Sequence, residues 1–315
     1  MDPSKHIILG AGGALTSPLA GELLSAGSVR LVSRSGYTVP GTESVRADLL
    51  NASEVLGAVE KSSAVYLIAG LPYSTAVWRE QWPKVMRNAI AACASKGARL
   101  LFFDNVYMYG KVRGPMTEET PVAPCSAKGE IRAETAGLLL RAIGRGEVKG
   151  LIARSADFYG PYARGSSVPM LLVLERLARG KKAQWLANAR ARHSFTYTMD
   201  CGKALAILAR TEDAFGQVWH MPTAFPPVTG EEFIRIAARK LGTSPRYSVL
   251  GRGMVRIGGI FNPVVRETYE MLYQSENEYL FDSSKFCNRF GYVPASYEEG
   301  IASAAAYVRG LRTAD

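Results

Sequence analysis

Short apolar runs alternate with helix-like patterns along the first half of the chain, and this alternation limits the folds open to it. Runs of strand length occur at residues 7–9, 29–33, 64–69, 99–104 and 150–154. Helical apolar spacing lies between them, at residues 18–26, 53–61, 78–95 and 130–144. Strand, helix and strand in succession form right-handed units on a parallel sheet. The pattern predicts an α/β fold of the Rossmann type, with a doubly wound parallel sheet.

The second half of the chain has a different rhythm, because prolines separate its helices and loops after Gly160. Amphipathic helices are predicted at residues 168–179, 230–241 and 297–309, and residues 194–208 are predicted to form a strand and a helix that return to the main sheet. We expect one domain over residues 1–160, rejoined by residues 190–220. Residues 161–189 and 221–315 are expected to form a smaller C-terminal cap.

Composition excludes several classes of protein. The chain has 315 residues and is 47% hydrophobic, enough for a sizeable core, but its longest apolar runs are only strand-sized. We therefore expect no membrane span and no membrane partner. The start, Met1 to Lys5, is polar, so no signal peptide is expected. The four cysteines lie far apart without metal-ligand spacing, which predicts a cytoplasmic protein with no metal site.

The net charge of +10 raises the question of nucleic-acid binding. The basic residues are scattered, and their local concentrations are short: RGKKAQW at 179–185 and RARH at 190–193. Such stretches suit a solvated face or a pocket for an anionic small molecule. We expect a small-molecule partner and no nucleic acid, and we leave a homodimer open.

A glycine-rich turn, IILGAGGALTSPLAGELL at residues 7–24, follows the first predicted strand and precedes a helix. Gly10, Gly13 and Thr16 form G-x-x-G-x-x-T, and bare backbone before a helix N-terminus suits a phosphate. Glycines also serve ordinary strand-to-helix turns, so the turn alone leaves both interpretations open. The Thr16 hydroxyl is expected either to bond a phosphate oxygen or to cap the helix.

Further motifs occur in one particular order along the chain. They are RADLL at 46–50, VYLIAG at 65–70, LFFDNVYMYG at 101–110, ARSADFYGP at 153–161 and HSFTYTMDCGKA at 193–204. With the glycine-rich turn, this set resembles the extended short-chain dehydrogenase/reductases, which include nucleotide-sugar epimerases and dehydratases. The resemblance implies a domain that binds a nicotinamide dinucleotide and a cap that binds substrate. It implies the following cofactor-binding residues: Gly10, Gly13, Ala14 and Leu15 at the pyrophosphate, Asp48 and Leu49 at the adenine, and Ala69 and Gly70 at the nicotinamide ribose.

The end of the second predicted strand, VRLVSRS at 29–35, indicates which dinucleotide is bound. An acidic side chain here would bind the adenine ribose and repel a 2′-phosphate. Ser33, Arg34 and Ser35 instead offer hydroxyls and a guanidinium, which suit a phosphate monoester. NADP is therefore predicted in preference to NAD, unless Arg34 is an ordinary surface arginine.

The usual catalytic pair of this family is missing. A Tyr-x-x-x-Lys motif would start the helix after the fifth strand, where the chain reads CSAKGEIRAE at 125–134. The alignment places Ser126 at the tyrosine and Glu130 at the lysine, and neither side chain suits the usual acid chemistry. The chain thus resembles the atypical subgroups of the family. Fold and function must be argued separately.

Tyr107 is the best replacement for the missing phenol, since it follows the fifth strand at the edge where ligands bind such sheets. The alternative is that the Tyr107 ring only packs against the cap. Tyr109 is interpreted as a structural residue. We predict Tyr107, Asn105 and Lys128 as catalytic residues. Asp200 is expected to organise a helix N-terminus. Candidates for substrate contact are Asp104, Arg132, Asp157, Tyr162 and His193, with Tyr159 nearby in the sequence.

Two functions follow from these residues. The first is an NAD(P)-dependent oxidoreductase, or an epimerase- or dehydratase-like enzyme, that acts on a small polar carbonyl or sugar-derived substrate. The second is a non-catalytic NADP(H)-binding sensor or scaffold, for which loss of the catalytic pair is expected.

Overall fold

The computed structural model describes residues 5–61 and 63–312. Most of the polar start of the chain, on which the signal-peptide expectation rests, lies outside the described residues. The outer limits of the expected domains also lie outside them. The strands are β1 (Lys5–Leu9), β2 (Ser28–Ser33), β3 (Glu43–Arg46), β4 (Ala64–Leu67), β5 (Arg99–Asp104), β6 (Pro115–Met116), β7 (Lys149–Arg154), β8 (Asp157–Tyr159), β9 (Ala183–Leu186), β10 (Arg192–His193), β11 (Phe195–Tyr197), β12 (Val218–His220), β13 (Val228–Thr229), β14 (Tyr247–Leu250) and β15 (Leu280–Phe281).

The α-helices are α1 (Thr16–Leu23), α2 (Ala52–Ala58), α3 (Thr75–Lys96), α4 (Ala127–Gly144), α5 (Glu175–Ala178), α6 (Thr198–Arg210), α7 (Gly230–Leu241), α8 (Arg252–Phe261), α9 (Pro263–Thr268), α10 (Tyr273–Glu276), α11 (Ser284–Phe290) and α12 (Tyr297–Arg312). Short 3₁₀ turns cover Tyr107–Tyr109, Glu212–Ala214 and Tyr269–Met271, and Met170–Leu174 forms one π-helical stretch. Within the described residues, no helix is both long and apolar enough to cross a bilayer.

A seven-stranded sheet organises the fold, in the order β12-β7-β5-β4-β1-β2-β3 with every pairing parallel. Helices cover both of its faces, and each face has its own apolar core. The prediction of a Rossmann-type doubly wound sheet is confirmed. Strand order reverses between β1 and β4, so the crevice outside their carboxyl ends is where this architecture binds ligands.

The sequence missed two strands of the sheet. The edge strand β3 is short and largely exposed, so it carries no hydrophobic alternation to detect. The strand predicted in residues 194–208 does form, as β11, but it pairs with β8 and not with the main sheet. The strand that returns is β12, beside β7. The prediction of the returning strand was therefore wrong by about twenty residues, because a three-residue strand leaves almost no pattern.

A third apolar core lies beside the sheet and joins α5, α7 and α12 to β9 and β11. Helix α7 has the predicted limits, with a capping box in which Thr229 and Glu232 bond reciprocally. The helix predicted at 168–179 forms, but its middle, Met170–Leu174, is π-helical and α5 completes it. The limits proposed between domain and cap remain predictions.

Candidate functional site

The glycine-rich turn joins β1 to α1 at the point where strand order reverses. Gly10 has a left-handed φ of 85°, and a Cβ on it would lie 2.4 Å from the Cα of Ala69. Gly12 has a φ of 110°. A side chain at Gly13 would meet open space. The backbone therefore requires glycine at positions 10 and 12, and the Gly10–Ala69 contact closes the floor of the crevice.

Three backbone N–H groups at this turn make no hydrogen bond to a described residue. Those of Gly13, Ala14 and Leu15 meet no protein acceptor among the described residues. The N–H groups of Gly10 and Ala11 instead bond the Val32 carbonyl, at 3.0 Å each. Free amides just before a helix form an anion site. This arrangement fits the pyrophosphate of a dinucleotide.

Thr16 has a role that neither expectation described. Its hydroxyl accepts a 2.8 Å hydrogen bond from the Gly12 N–H and is buried. The N-cap of α1 is Leu15, without a side-chain cap. Thr16 thus fixes the shape of the turn from inside, which positions the free amides.

The turn after β2 carries exposed cations. Arg34 is exposed and forms no ion pair with any described residue, while Ser33 is buried and its hydroxyl accepts the Tyr37 N–H at 2.9 Å. Arg46, at the end of β3, pairs in register with Ser33, and its Nε would lie 2.9 Å from a Cβ on Gly36. Two guanidinium groups therefore flank this turn.

The other expected cofactor residues lie along the same edge of the sheet. The Asp48 carboxylate accepts the Leu50 N–H at 3.0 Å, and the Leu49 carbonyl accepts the side-chain amide of Asn88 at 2.8 Å. Ala69 is half-buried against Gly10, and Gly70 is exposed. Asp48 and Leu49 are thus held by their neighbours, while Gly70 leaves its surroundings open.

Tyr107 stands at the carboxyl end of β5, in a 3₁₀ turn. The Asn105 carboxamide oxygen accepts the Tyr107 N–H at 3.1 Å, so Asn105 shapes the turn that presents the phenol. The Tyr107 ring stacks on Trp78 with centroids 6.3 Å apart, and its hydroxyl bonds that of Tyr73. These contacts fix the Tyr107 ring in one orientation.

The electrostatic surroundings of Tyr107 favour the neutral phenol. Burial is the largest cause, followed by the neighbouring Tyr73 and the Asp157 carboxylate, and together they hold the pKa of Tyr107 well above its usual value. Burial also raises the pKa of Tyr73. At neutral pH Tyr107 is therefore protonated, so it carries a proton that it could donate and it is not a base.

The positions of the missing catalytic pair have other roles. The Ser126 hydroxyl caps α4 by accepting the Gly129 N–H at 3.1 Å, and Ser126 is buried. Glu130 is exposed in the first turn of the same helix. The Ser126 hydroxyl is thus used as a helix cap, which agrees with the expectation that Ser126 cannot replace the tyrosine.

Lys128 was expected to act on the substrate, and the structure corrects this. Its ammonium is fully buried, bonds Glu270 at 2.8 Å and Thr75 Oγ1 at 2.9 Å, and forms an ion pair with Glu267. It also lies 4.7 Å from the centre of the Tyr73 ring. Two carboxylates neutralise the cation, and Tyr73 links it to Tyr107.

Asp104 and Arg132 were also expected near the substrate, and both are buried in a structural ion pair. The Arg132 Nε donates to Asp104 Oδ1 at 2.8 Å, and the guanidinium lies 4.2 Å from the centre of the Trp82 ring. Arg154 lies on the other side, with its Nε 3.9 Å from Asp104 Oδ2. The pair fixes β5 to α4 and leaves no face for a substrate.

Two other expected substrate residues come together. The His193 Nε2 lies 3.1 Å from Asp157 Oδ2, and both side chains line a small cleft. Gln184 and Ser275 add polar groups to an otherwise apolar lining. The Asp157 charge also reaches Tyr107, Tyr273 and Tyr279. Tyr107 itself does not line the cleft, and the Asp157 charge is the link between the two.

Tyr162 lies elsewhere. Its ring is exposed and contacts Tyr307 of α12, with centroids 5.1 Å apart, at a left-handed φ of 66°. Tyr159 is buried in the third core, and Tyr109 bonds Arg154 and His220 inside the protein. Asp200, in the first turn of α6, accepts the Tyr292 hydroxyl and the Ala295 N–H. None of these contacts joins the His193 cleft.

Sequence reasoning missed several residues of the region. Tyr73 follows β4 in a loop without a motif, and Arg46 was quoted only as the start of RADLL. Glu267 and Glu270 lie 139 and 142 positions from Lys128, so no local pattern could connect them. The only available signal was the number of tyrosines, 15 in the chain, and it does not say which ones gather.

Comparisons with known proteins agree with this geometry. The model of the NAD dependent epimerase/dehydratase family matches residues 6–220. No curated protein sequence matches the chain significantly.

Solved structures with the same fold cover almost the whole chain. A UDP-glucuronic acid 4-epimerase from Bacillus cereus, in complex with NAD, is 18% identical, with a TM-score of 0.79 over 98% of this chain and 99% of that one. A dTDP-glucose 4,6-dehydratase from Streptomyces venezuelae, with NAD bound, is 17% identical, with a TM-score of 0.80 over 98% of both chains. A UDP-glucose 4-epimerase from Thermus thermophilus, also with NAD, is 18% identical, with a TM-score of 0.79 over 97% of this chain and 99% of that one. At such identities the likeness shows the fold alone.

Proposed function

The chain belongs to the NAD-dependent epimerase/dehydratase family of enzymes, and we propose that it is an NADP(H)-dependent reductase of a polar, sugar-derived carbonyl compound, with Tyr107 as its proton donor. The observation that carries this proposal is the neutral phenol of Tyr107, fixed at the carboxyl end of β5 in the region of the Asp157–His193 cleft.

The cofactor would lie across the carboxyl ends of β1, β2 and β4. The free amides of Gly13, Ala14 and Leu15 would hold its pyrophosphate, with Gly10 giving the backbone room beside Ala69. Arg34 and Arg46 flank the turn after β2, where the adenine ribose lies in this fold. Two guanidinium groups there favour a 2′-phosphate, and therefore NADP over NAD.

Tyr107 would supply the proton of the reaction. The nicotinamide, when bound, supplies a hydride. The Tyr107 hydroxyl would donate its proton to the substrate oxygen, and the remaining phenolate would regain a proton from solvent. Because burial and the Asp157 charge keep the phenol protonated, Tyr107 is in the form that reduction of a carbonyl requires. Tyr73 and Trp78 would orient the phenol, and Asn105 shapes its turn.

The substrate would occupy the cleft beside Asp157 and His193. A carboxylate and an imidazole 3.1 Å apart can bond neighbouring hydroxyl groups, as on a sugar ring. The apolar wall formed by Trp185, Leu186 and Phe195 suits a flat ring. The names of the structural neighbours, which refer to nucleotide sugars, support this class of substrate.

A calorimetric titration with NADPH and NADH tests the cofactor. We expect NADPH to bind at least about tenfold more tightly, since one charge-assisted contact contributes roughly 1.5–3 kcal/mol. Arg34→Ala should remove most of this preference and Arg46→Ala part of it, whereas Arg210→Ala, at an exposed end of α6, should leave it unchanged. Equal affinities in the unaltered protein, or a preference that survives both substitutions, would contradict the proposal. NADPH oxidation against a panel of keto-sugars and simple carbonyl compounds then tests turnover.

A further inference from the structure

Helices α8 and α9 form a hairpin whose outer surface is apolar. Five large apolar side chains are exposed within eleven residues: Met254, Ile257, Ile260, Phe261 and Val264. Exposure is greatest next to the connection between the helices, at 73% for Ile260 and 83% for Phe261. Elsewhere on the described surface, exposed large apolar residues such as Phe225 and Val293 are isolated in the sequence. A contiguous apolar patch of this kind marks an interaction site.

The apolar surface of the hairpin results from its construction. The buried side of α8 consists of Val255 and Gly259, and a Cβ on Gly259 would lie 2.9 Å from the Cα of Arg266 in α9. The helices therefore approach closely through glycine. Met254, Ile257 and Phe261 follow three- and four-residue spacing and share the opposite face. The amphipathic helix α8 thus turns its apolar face outward.

The base of the hairpin is anchored to the main domain. Glu267 accepts the Thr75 N–H at 3.0 Å, Glu270 accepts the Ala127 N–H at 2.8 Å, and both carboxylates hold the buried Lys128. The carboxylates meet the N-termini of α3 and α4, where the helix dipoles favour negative charge. The apolar patch is therefore displayed from a fixed position.

The charged residues between positions 251 and 266 are all basic, and the nearby Glu267 and Glu276 are engaged in ion pairs. Arg252, Arg256 and Arg266 lie in residues 251–266, and that stretch contains no acidic residue. Arg252 is paired with Glu276, while Arg256 and Arg266 are exposed and form no ion pair with a described residue. The whole chain carries a net charge of +10.

From this combination we infer that the α8–α9 hairpin docks on an anionic lipid bilayer. Ile257, Ile260 and Phe261 enter the boundary between headgroups and acyl chains, and Arg256 and Arg266 contact lipid phosphates. A helix with an apolar face and basic flanks binds such a surface without crossing it. A second copy of the chain fits less well, because a two-fold contact would bring Arg256 and Arg266 of both copies together, and residues 251–266 offer no carboxylate to pair with them. The expectation of no membrane partner was based only on the absence of a membrane-spanning segment from the sequence. Docking on the surface of a bilayer does not need such a segment.

Cosedimentation of the full chain with lipid vesicles tests the inference. The chain should bind vesicles of phosphatidylcholine with phosphatidylglycerol strongly, and vesicles of phosphatidylcholine alone weakly. Ile260→Ser with Phe261→Ser should abolish binding. Arg256→Gln with Arg266→Gln should weaken it by about 25-fold, since each basic residue at an anionic surface contributes roughly fivefold. Val293→Ser, which removes one isolated exposed apolar side chain, is the matched control and should bind as the unaltered chain does.

Folding of the variants is checked by their NADPH affinity, which should not change because the hairpin lies outside the dinucleotide crevice. The inference is overturned if the chain ignores anionic vesicles, or if the Ile260 and Phe261 double variant still binds them. It is equally overturned if light scattering shows a dimer that this double variant converts to a monomer, since the patch would then be covered by a second copy.

Discussion

His193 and Asp157 lie side by side in the cleft, with the imidazole Nε2 3.1 Å from the carboxylate Oδ2. The His193 ring stacks on Phe195 at 4.5 Å and on Tyr279 at 5.5 Å, so its plane is fixed by aromatic neighbours. The two residues come from separate strands, β10 and β8, and the fold alone brings them together. A fixed polar pair in an apolar cleft is suited to recognise a substrate hydroxyl.

Replacing His193 by Asn should lower kcat/KM by about 10–100-fold, mainly through KM, because one hydrogen bond to a polar or charged group is worth roughly 1.5–3 kcal/mol. The readout is steady-state NADPH oxidation with the best substrate of the panel. NADPH affinity, measured by calorimetry, should remain unchanged. A variant that loses NADPH binding instead would place His193 in the cofactor site.

Tyr107→Phe should lower kcat by about 10²–10⁴-fold while leaving NADPH affinity nearly unchanged, since it removes only the proton donor. The pH profile gives a second readout. Because the pKa of Tyr107 is raised well above the ordinary 10.0, the acid form persists and reductive kcat should show no loss from this group between neutral pH and about pH 10.

Two variants separate this effect from general disturbance. Tyr162→Phe alters an exposed tyrosine outside the cleft and should retain full kcat. Ser126→Ala removes a helix cap, so it should cost about 1 kcal/mol of unfolding free energy with little change in kcat. Unchanged turnover in Tyr107→Phe would remove this residue from the mechanism.

Lys128→Met should reduce the unfolding free energy by about 3–5 kcal/mol, because it leaves two partly buried carboxylates without their cation. Urea denaturation followed by circular dichroism measures the loss. Lys84→Met, at an exposed position of α3, is the matched control and should change stability by less than about 0.5 kcal/mol. Adding Glu267→Gln and Glu270→Gln to Lys128→Met should recover part of the loss, and a further loss would contradict the electrostatic explanation.

His220 should make the fold sensitive to mild acid. Its Nδ1–H donates to the Asp282 carbonyl at 2.7 Å and its Nε2 lies 2.9 Å from the Tyr109 hydroxyl, so the ring is neutral. Burial, helped by the nearby Arg154 charge and opposed by the hydrogen bond to the Asp282 carbonyl, lowers the pKa of His220 from 6.5 to about 3. Between pH 6.5 and pH 3 the unfolded chain binds a proton at His220 and the folded chain does not. The contribution of neutral His220 to the free energy of unfolding is therefore complete above pH 6.5 and is lost as the pH falls toward 3.

From pH 7 to pH 5 this group alone should cost about 2 kcal/mol of unfolding free energy. Urea denaturation at the two pH values measures it. His220→Gln keeps a polar side chain without a titrating ring. In this variant the free energy of unfolding should change less between pH 7 and pH 5. An equally steep dependence in the variant would assign the acid sensitivity to other groups.

Particular residues show how far the sequence determines the interpretation. The sheet was predictable because β1, β2, β4, β5 and β7 are apolar runs that local pattern reveals. The glycine-rich turn was also predictable, although the structure requires Gly12 where the motif emphasises Gly13. Local sequence patterns indicate the secondary structure of neighbouring residues, but not contacts between distant segments.

Lys128 illustrates what local pattern cannot supply. Its buried position follows from its place on α4, but its partners come from a segment about 140 positions later. Lys128 was predicted to be catalytic because sequence spacing could not indicate the two carboxylates that pair with it. Arg132 failed for the same reason, since its pairing with Asp104 and its contact with Trp82 depend on how α3, α4 and β5 meet.

The anchoring of Glu267 and Glu270 on Lys128 also bears on how such a chain can be recombined. These three side chains form one electrostatic unit, although they are distant in the sequence. A chimera that takes α9 and the following turn from a relative must take a matching residue at position 128 as well. Without it, the chimera holds two carboxylates with no cation between them. The break point between the parents then divides a single electrostatic module.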